Sequence, residues 1–268
     1  MRAPSFLYIK PNRWGIRLRR YFVGWWYTVH LGAVALVMAF SPSTYRRDTR
    51  LATSRHIYES TWQVLPWFTV LAALISLVVI RIVVVTALSY GLSSFALEMV
   101  VRVLVLELIP LCAAMFVALR ASMAFDATAM GLARRGLPAP AATDETMRQL
   151  RRGLVPQVIS NAFAVLSLAM VSSVIVLVLA YLNVYGLSIW GLADYTRTVG
   201  RVFDPVVAIG FALKTVLFGL AVAVIPTAAI LALQRHPRRL ASSVQPGALR
   251  LLFVLLLIEG GSLALRYI

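Results

Sequence analysis

The chain is short of charge: 13% of its 268 residues are Asp, Glu, Lys or Arg, against 60% that are hydrophobic. A water-soluble domain carries about 25% charged residues, so this surface cannot cover a soluble fold. Acidic residues are scarcest, 10 against 26 Lys and Arg, which leaves a formal net charge of +16. Cysteine is nearly absent. Cys112 stands alone in an apolar run, which excludes an internal disulfide and offers no thiolate metal site. Its ordinary reading is a small packed residue. Histidine occurs three times, as His30, His56 and His236, far apart and beside apolar runs. Amphipathic rings at a headgroup boundary account for them better than metal ligation. No G-x-x-x-x-G-K-[ST] loop is present, so ATP is not bound by that route, and no H-E-x-x-H occurs. Neither cofactor nor metal is expected, and no catalytic constellation is visible.

What the chain has instead is long apolar blocks, with a mean hydropathy of +0.84. Five are long enough to cross a bilayer: about 66–90, 97–119, 158–182, 205–233 and 251–268. The fold class expected is an all-α membrane protein of five transmembrane helices plus an N-terminal interfacial helix. Residues 1–56 form a basic N-terminal segment, and 57–268 form the bundle. Within the former, Phe22 to Phe40 is uncharged and long enough to span. Both its flanks are basic, with Arg17, Arg19 and Arg20 before it and Arg46, Arg47 and Arg50 after it. A spanning helix would export one basic flank, so a helix lying in the inner interface is preferred. Trp25, Trp26 and Tyr27 suit that depth.

The basic segments 1–56, 120–155 and 234–250 all fall on one side if the five blocks cross in turn. That side is cytoplasmic by the positive-inside tendency, which places the C-terminus outside. A net positive charge distributed this way suits anionic lipid headgroups rather than nucleic acid.

The charges inside the blocks carry the most information. A charge near the bilayer centre costs about 2.5–3.5 kcal/mol on insertion scales, so each one calls for a partner or a polar cavity. Glu107 lies roughly ten residues into the second block, Lys214 about ten into the fourth and Glu259 roughly nine into the fifth, so at about 1.5 Å per residue all three approach the midplane. Arg102 and Arg81 lie nearer the outer half. Two readings stand side by side: a polar cluster beside a substrate path, or a structural ion pair that locks the bundle.

The segment 120–155 is the other candidate. Its charges include Arg134, Arg135, Asp144, Glu145, Arg148, Arg151 and Arg152, and a short helix is expected from Asp144 to Arg152. It is either a solvated connection or a dock for a cytosolic subunit.

Several short runs then point in one direction. Leu106-Glu107-Leu108-Ile109-Pro110 is followed by Ala113, Ala114 and Leu119-Arg120-Ala121-Ser122. Leu150-Arg151-Arg152-Gly153-Leu154-Val155-Pro156 leads into the third block, Leu213-Lys214-Thr215-Val216-Leu217-Phe218 lies in the fourth, and Glu259 falls about ten residues from the end. In this order, and on this topology, the chain resembles the MlaE (YrbE) family of lipid-transport permeases over about residues 60–268. It departs from the family where an arginine normally precedes the motif glutamate. Leu106 stands there, and Arg102, five residues before Glu107, is the candidate substitute. The coupling segment also departs, with a Pro- and Ala-rich run from Gly136 to Thr143.

The resemblance implies a transport subunit without its own ATPase, in a bacterial inner membrane. Its partners would be a second permease, a cytosolic ABC ATPase dimer docked at 120–155, and a periplasmic MCE-domain protein. A homodimer is the first expectation, and divergence at the coupling segment leaves a heterodimer open. The cargo would be phospholipid or another hydrophobic lipid. Two rivals from other classes remain at this point: an intramembrane lipid-modifying enzyme using Glu107 or Glu259, and a membrane scaffold without a path.

Overall fold

The computed structural model describes residues 58–62, 64–134, 144–235 and 246–267. The basic N-terminal segment and its expected interfacial helix, residues 22–40, lie outside the described residues, as does Arg135. Within the described residues every regular element is helical.

A short π-helical turn, Tyr58–Trp62, precedes α1 (Leu65–Ser89). Pro66 sits in its first turn, where the missing N–H has no intrahelical partner to lose. Gly91, at φ +71°, turns the chain back. The second span is built from α2 (Ser93–Val100), a π-helical stretch (Val101–Leu108) and α3 (Ile109–Arg134). Then come α4 (Asp144–Tyr185), a 3₁₀ turn (Ile189–Gly191), α5 (Leu192–Val202), α6 (Pro205–Arg235) and α7 (Pro246–Tyr267).

Five stretches are long and apolar enough to cross a membrane: Leu65–Ser89, Phe95–Ala121, Val158–Tyr185, Pro205–Ala228 and Gly247–Leu265. These are the five blocks expected from the sequence. One boundary differs. The helix expected at Asp144–Arg152 is the beginning of α4, which runs on through Gly153 and Pro156 into the third span. The connection between the third and fourth blocks, residues 183–203, carries a helix of its own, α5.

The second span is the hub. More than half of it is buried (56%), against 22% of the first span and 11% of the last. Apart from Arg81 on α1, the remaining surface of α1 and α7 is mainly apolar, including Leu74, Val78, Leu256 and Leu257. In a bilayer such faces meet lipid or other apolar protein and need no polar cover.

Two apolar clusters divide the bundle along its axis. One gathers Phe68, Ala113, Ala114, Leu168, Phe218 and Leu255. The other gathers Ile80, Val101, Leu104, Val105, Val176 and Val202. Small residues bring the helices close. A Cβ on Gly219 of α6 would come within 3.1 Å of the Ala162 carbonyl oxygen of α4. Association in lipid depends on such close contact, since the hydrophobic effect does not drive helices together there. Two buried hydroxyls of α6 are satisfied inside their own helix. Thr215 donates to the Phe211 carbonyl at 2.7 Å and Thr227 to that of Ala223 at 2.6 Å. Such bonds remove a polar group that hydrocarbon would otherwise penalise.

Candidate functional site: a charged trio between three spans

The π-helical stretch Val101–Leu108 carries Glu107 near its end, and Pro110 follows in the first turn of α3. Proline has no N–H, so it cannot serve the carbonyl four residues earlier, that of Leu106. Lys214 of α6 lies against this place. Its Nζ donates toward the Leu106 oxygen at 3.4 Å and pairs with Glu107 Oε2. A local break in the regular helix therefore faces a lysine that uses it. Single π-helical turns concentrate at functional sites because they shift a side chain's direction and loosen backbone bonding.

Glu259 of α7 completes the arrangement. Its Oε2 lies 2.8 Å from Lys214 Nζ. One ammonium is thus shared between two carboxylates, and the three side chains come from the second, fourth and fifth spans. Their side chains are 3% (Lys214), 16% (Glu107) and 14% (Glu259) exposed. The Phe218 ring, one turn beyond Lys214, has its centroid 5.8 Å from the ammonium and adds a cation–π contact. Leu106 belongs to one apolar cluster and Phe218 to the other, so the trio sits where the two cores meet.

These are the three residues whose depths agree in the sequence. The other two intramembrane candidates lie elsewhere. Arg102 pairs with Glu98 one turn back on its own span, at 2.8 Å, with 48% of its side chain exposed. Its ion pair is with Glu98 and not with Glu107. Arg81 lies on the exposed face of α1. Of the coupling candidates, Arg134 ends α3, while Asp144, Glu145, Arg148, Arg151 and Arg152 occupy the first turns of α4.

Sequence reasoning missed one constellation. Tyr181 and Tyr185, at the end of the third span, meet Tyr195 of α5, with ring centroids 5.1 and 6.4 Å from it. The Tyr195 hydroxyl donates to the Leu177 carbonyl at 2.8 Å. Burial pushes its phenol up to about 12. The signal was present: Tyr195, Val199 and Val202 recur at helical spacing, the pattern of an amphipathic helix.

Among the described residues, no group of three or more His, Cys, Asp or Glu could hold a metal ion. The trio joins one ammonium to two carboxylates in a single ion-paired cluster.

The chain was compared with known proteins. No match was found among curated proteins and none among solved structures. The family model described as Permease MlaE matches residues 53–262, well over half of the chain and all three members of the trio. This is a multi-pass membrane protein of the MlaE permease family, a family of ABC-type lipid-transport subunits rather than enzymes.

Proposed function

We propose that this chain is the transmembrane subunit of an ABC-type, MCE-linked transporter in a bacterial inner membrane. It moves phospholipid or another hydrophobic lipid between that membrane and the periplasm or outer membrane. The N-terminus is cytoplasmic and the C-terminus periplasmic. A second permease, a copy of this chain, completes the path. A cytosolic ATPase dimer acts on the segment between the second and third spans, and a periplasmic MCE-domain protein exchanges lipid on the far side.

The observation that carries the reading is the charged trio. Glu107, Lys214 and Glu259 tie together three spans at mid-depth. A buried ionic link of this kind is a weak source of stability, because desolvation offsets most of the attraction. It is better suited to an element with two arrangements, since moving one helix by a few Å breaks or remakes it. The role assigned to the trio is to pass helix motion, started by ATP hydrolysis in the partner, to the lipid path. The α3–α4 connection supports this route: α4 runs unbroken from Asp144 to the far end of the third span, so force applied at its basic end travels along one rigid rod.

The test is Lys214→Ala, assayed for lipid transport with its ATPase and MCE partners. Transport is expected to fall at least tenfold while the amount of protein in the membrane is unchanged. Insertion depends on the apolar runs, which this change leaves intact. If the membrane level drops in step with transport, the trio is a lock and has no role in transport.

A further inference from the structure

The most exposed large apolar side chains of the described residues are not on the spans. They cluster in the short turn between the third span and α5: Leu187 is 91% exposed, Ile189 83% and Trp190 95%. On a water-facing loop three such neighbours would be an unfavourable surface. This turn is also firmly held. Gly186, at φ +65°, reverses the chain. Tyr181 donates from its hydroxyl to the Ser188 carbonyl at 2.5 Å, and the Gly191 backbone lies against the Tyr185 ring, where a Cβ would come 2.5 Å from Cδ1.

Those bonds hold it to the third span. The third span, Val158–Tyr185, has 28 residues. At about 1.5 Å per residue it is about 42 Å long, against a hydrocarbon core of about 30 Å and a whole bilayer of about 40–45 Å. Its last turns therefore lie among headgroups. Ser188 is tied back to Tyr181, about 6 Å below the helix end, and Tyr195 is tied to Leu177, about 12 Å below it. The turn and α5 stay against the end of the third span. The chain folds back alongside the span at the level where tyrosine and tryptophan collect.

We propose that the Leu187–Trp190 turn is inserted in the headgroup zone of the bilayer, with phospholipid as its partner. Trp190 and Ile189 enter the acyl boundary beside α5, which folds back along the span. The packed side of α5 is Tyr195, Val199 and Val202. Its open side carries Arg197 and Arg201, one turn apart, with Asp194 beside them. The two guanidiniums suit lipid phosphates, which they can grip in a bidentate way. This surface is separate from the charged trio and does not depend on which cargo is moved.

The test is spin labelling of the full chain in phosphatidylethanolamine and phosphatidylglycerol vesicles, in a Cys112→Ala background. Labels at Ile189→Cys and Leu187→Cys are compared with Leu74→Cys, on the exposed face of the first span, and Gly200→Cys, on the open side of α5. The readout is the collision rate with oxygen relative to a water-soluble nickel chelate. Both turn sites are expected to exceed Gly200→Cys severalfold and to fall below Leu74→Cys. Turn labels as accessible to nickel as Gly200→Cys overturn the proposal. So do labels that are water-accessible alone and become shielded only on adding the partner subunits, which would make the turn a protein-docking surface.

Discussion

The second span carries two ion pairs, and they do different things. Glu98 and Arg102 are a turn apart on one helix, with the arginine about half exposed. Glu107 lies little more than a turn further along, yet its lysine comes from α6 and shares itself with a carboxylate of α7. Both use the same chemical groups. The first pair links two residues that the helix already holds together, so it constrains nothing beyond its own side chains. The second links three separate helices through side chains that are largely buried. The value of an ion pair to a mechanism lies in what it connects. For that reason the two pairs should respond differently to removal.

The largest effect is expected at Lys214. Lys214→Ala leaves two buried carboxylates facing each other, and uncompensated buried charge costs about 3–5 kcal/mol. The thermal midpoint in detergent should fall steeply, and transport should be lost. The sharper version is the neutral triple variant Lys214→Met, Glu107→Gln, Glu259→Gln. Well-packed neutral groups often replace a buried ionic triad without loss. The midpoint should therefore return to within a few degrees of the parent while transport stays absent. A triple variant that is stable and transports normally would remove the distinction between the two pairs.

Glu259→Gln comes next. It leaves Lys214 with Glu107, a balanced pair, and an amide that still accepts a hydrogen bond from the ammonium. The loss of stability should be clearly smaller than for Lys214→Ala. Glu107→Gln should cost more than Glu259→Gln, because Lys214 also leans on the Leu106 carbonyl beside Glu107 and the two contacts act together. Equal effects at the two glutamates would mean that the π-helical stretch contributes nothing to holding the lysine.

Arg102→Ala should do little. Exposed ion pairs contribute about 0.2–1 kcal/mol, and long side chains near the ends of spans reach the interface by themselves. Membrane level, thermal midpoint and transport should all stay close to the parent. A loss of transport at this position would tie Arg102 to the trio after all and restore it as the stand-in for the arginine that Leu106 replaces.

Much of this was legible in the chain before any coordinates. The five spans follow from unbroken apolar runs, because length and hydropathy are local properties. The trio was legible through depth alone: three charges that cannot stay unpaired in lipid, each near the midplane. The partition among five charges was not. Arg102 and Glu107 are both within reach of a neighbouring helix by spacing, and only the rotation of each helix decides which faces α6. The π-helical stretch alters that rotation within a few residues of Glu107, and nothing in Val101–Leu108 spells out such a change. The continuity of α4 through Pro156 was hidden for the opposite reason. Proline usually marks a boundary, and tertiary packing overrode it. The fastening of the turn after Tyr185 was not legible, since it depends on tyrosines fourteen residues apart in sequence, Tyr181 and Tyr195.

The smallest effect concerns that fastening, and it extends the comparison from charged to neutral links. Tyr195 ties α5 to the third span by an uncharged hydrogen bond. Burial holds its phenol at about 12, above the ordinary 10.0. The unfolded phenol therefore gives up its proton first as the pH rises. The stability this group contributes is intact below about pH 10 and is lost progressively toward about pH 12. Phenolate absorbance should show a late phase that Tyr195→Phe diminishes, at a cost of about 1 kcal/mol. Between pH 6 and 9, on the order of the physiological range, the α5 attachment should not change at all. A titration of Tyr195 with the other exposed tyrosines would show that α5 leaves the span easily, and that this end of the bundle is not held as a single piece.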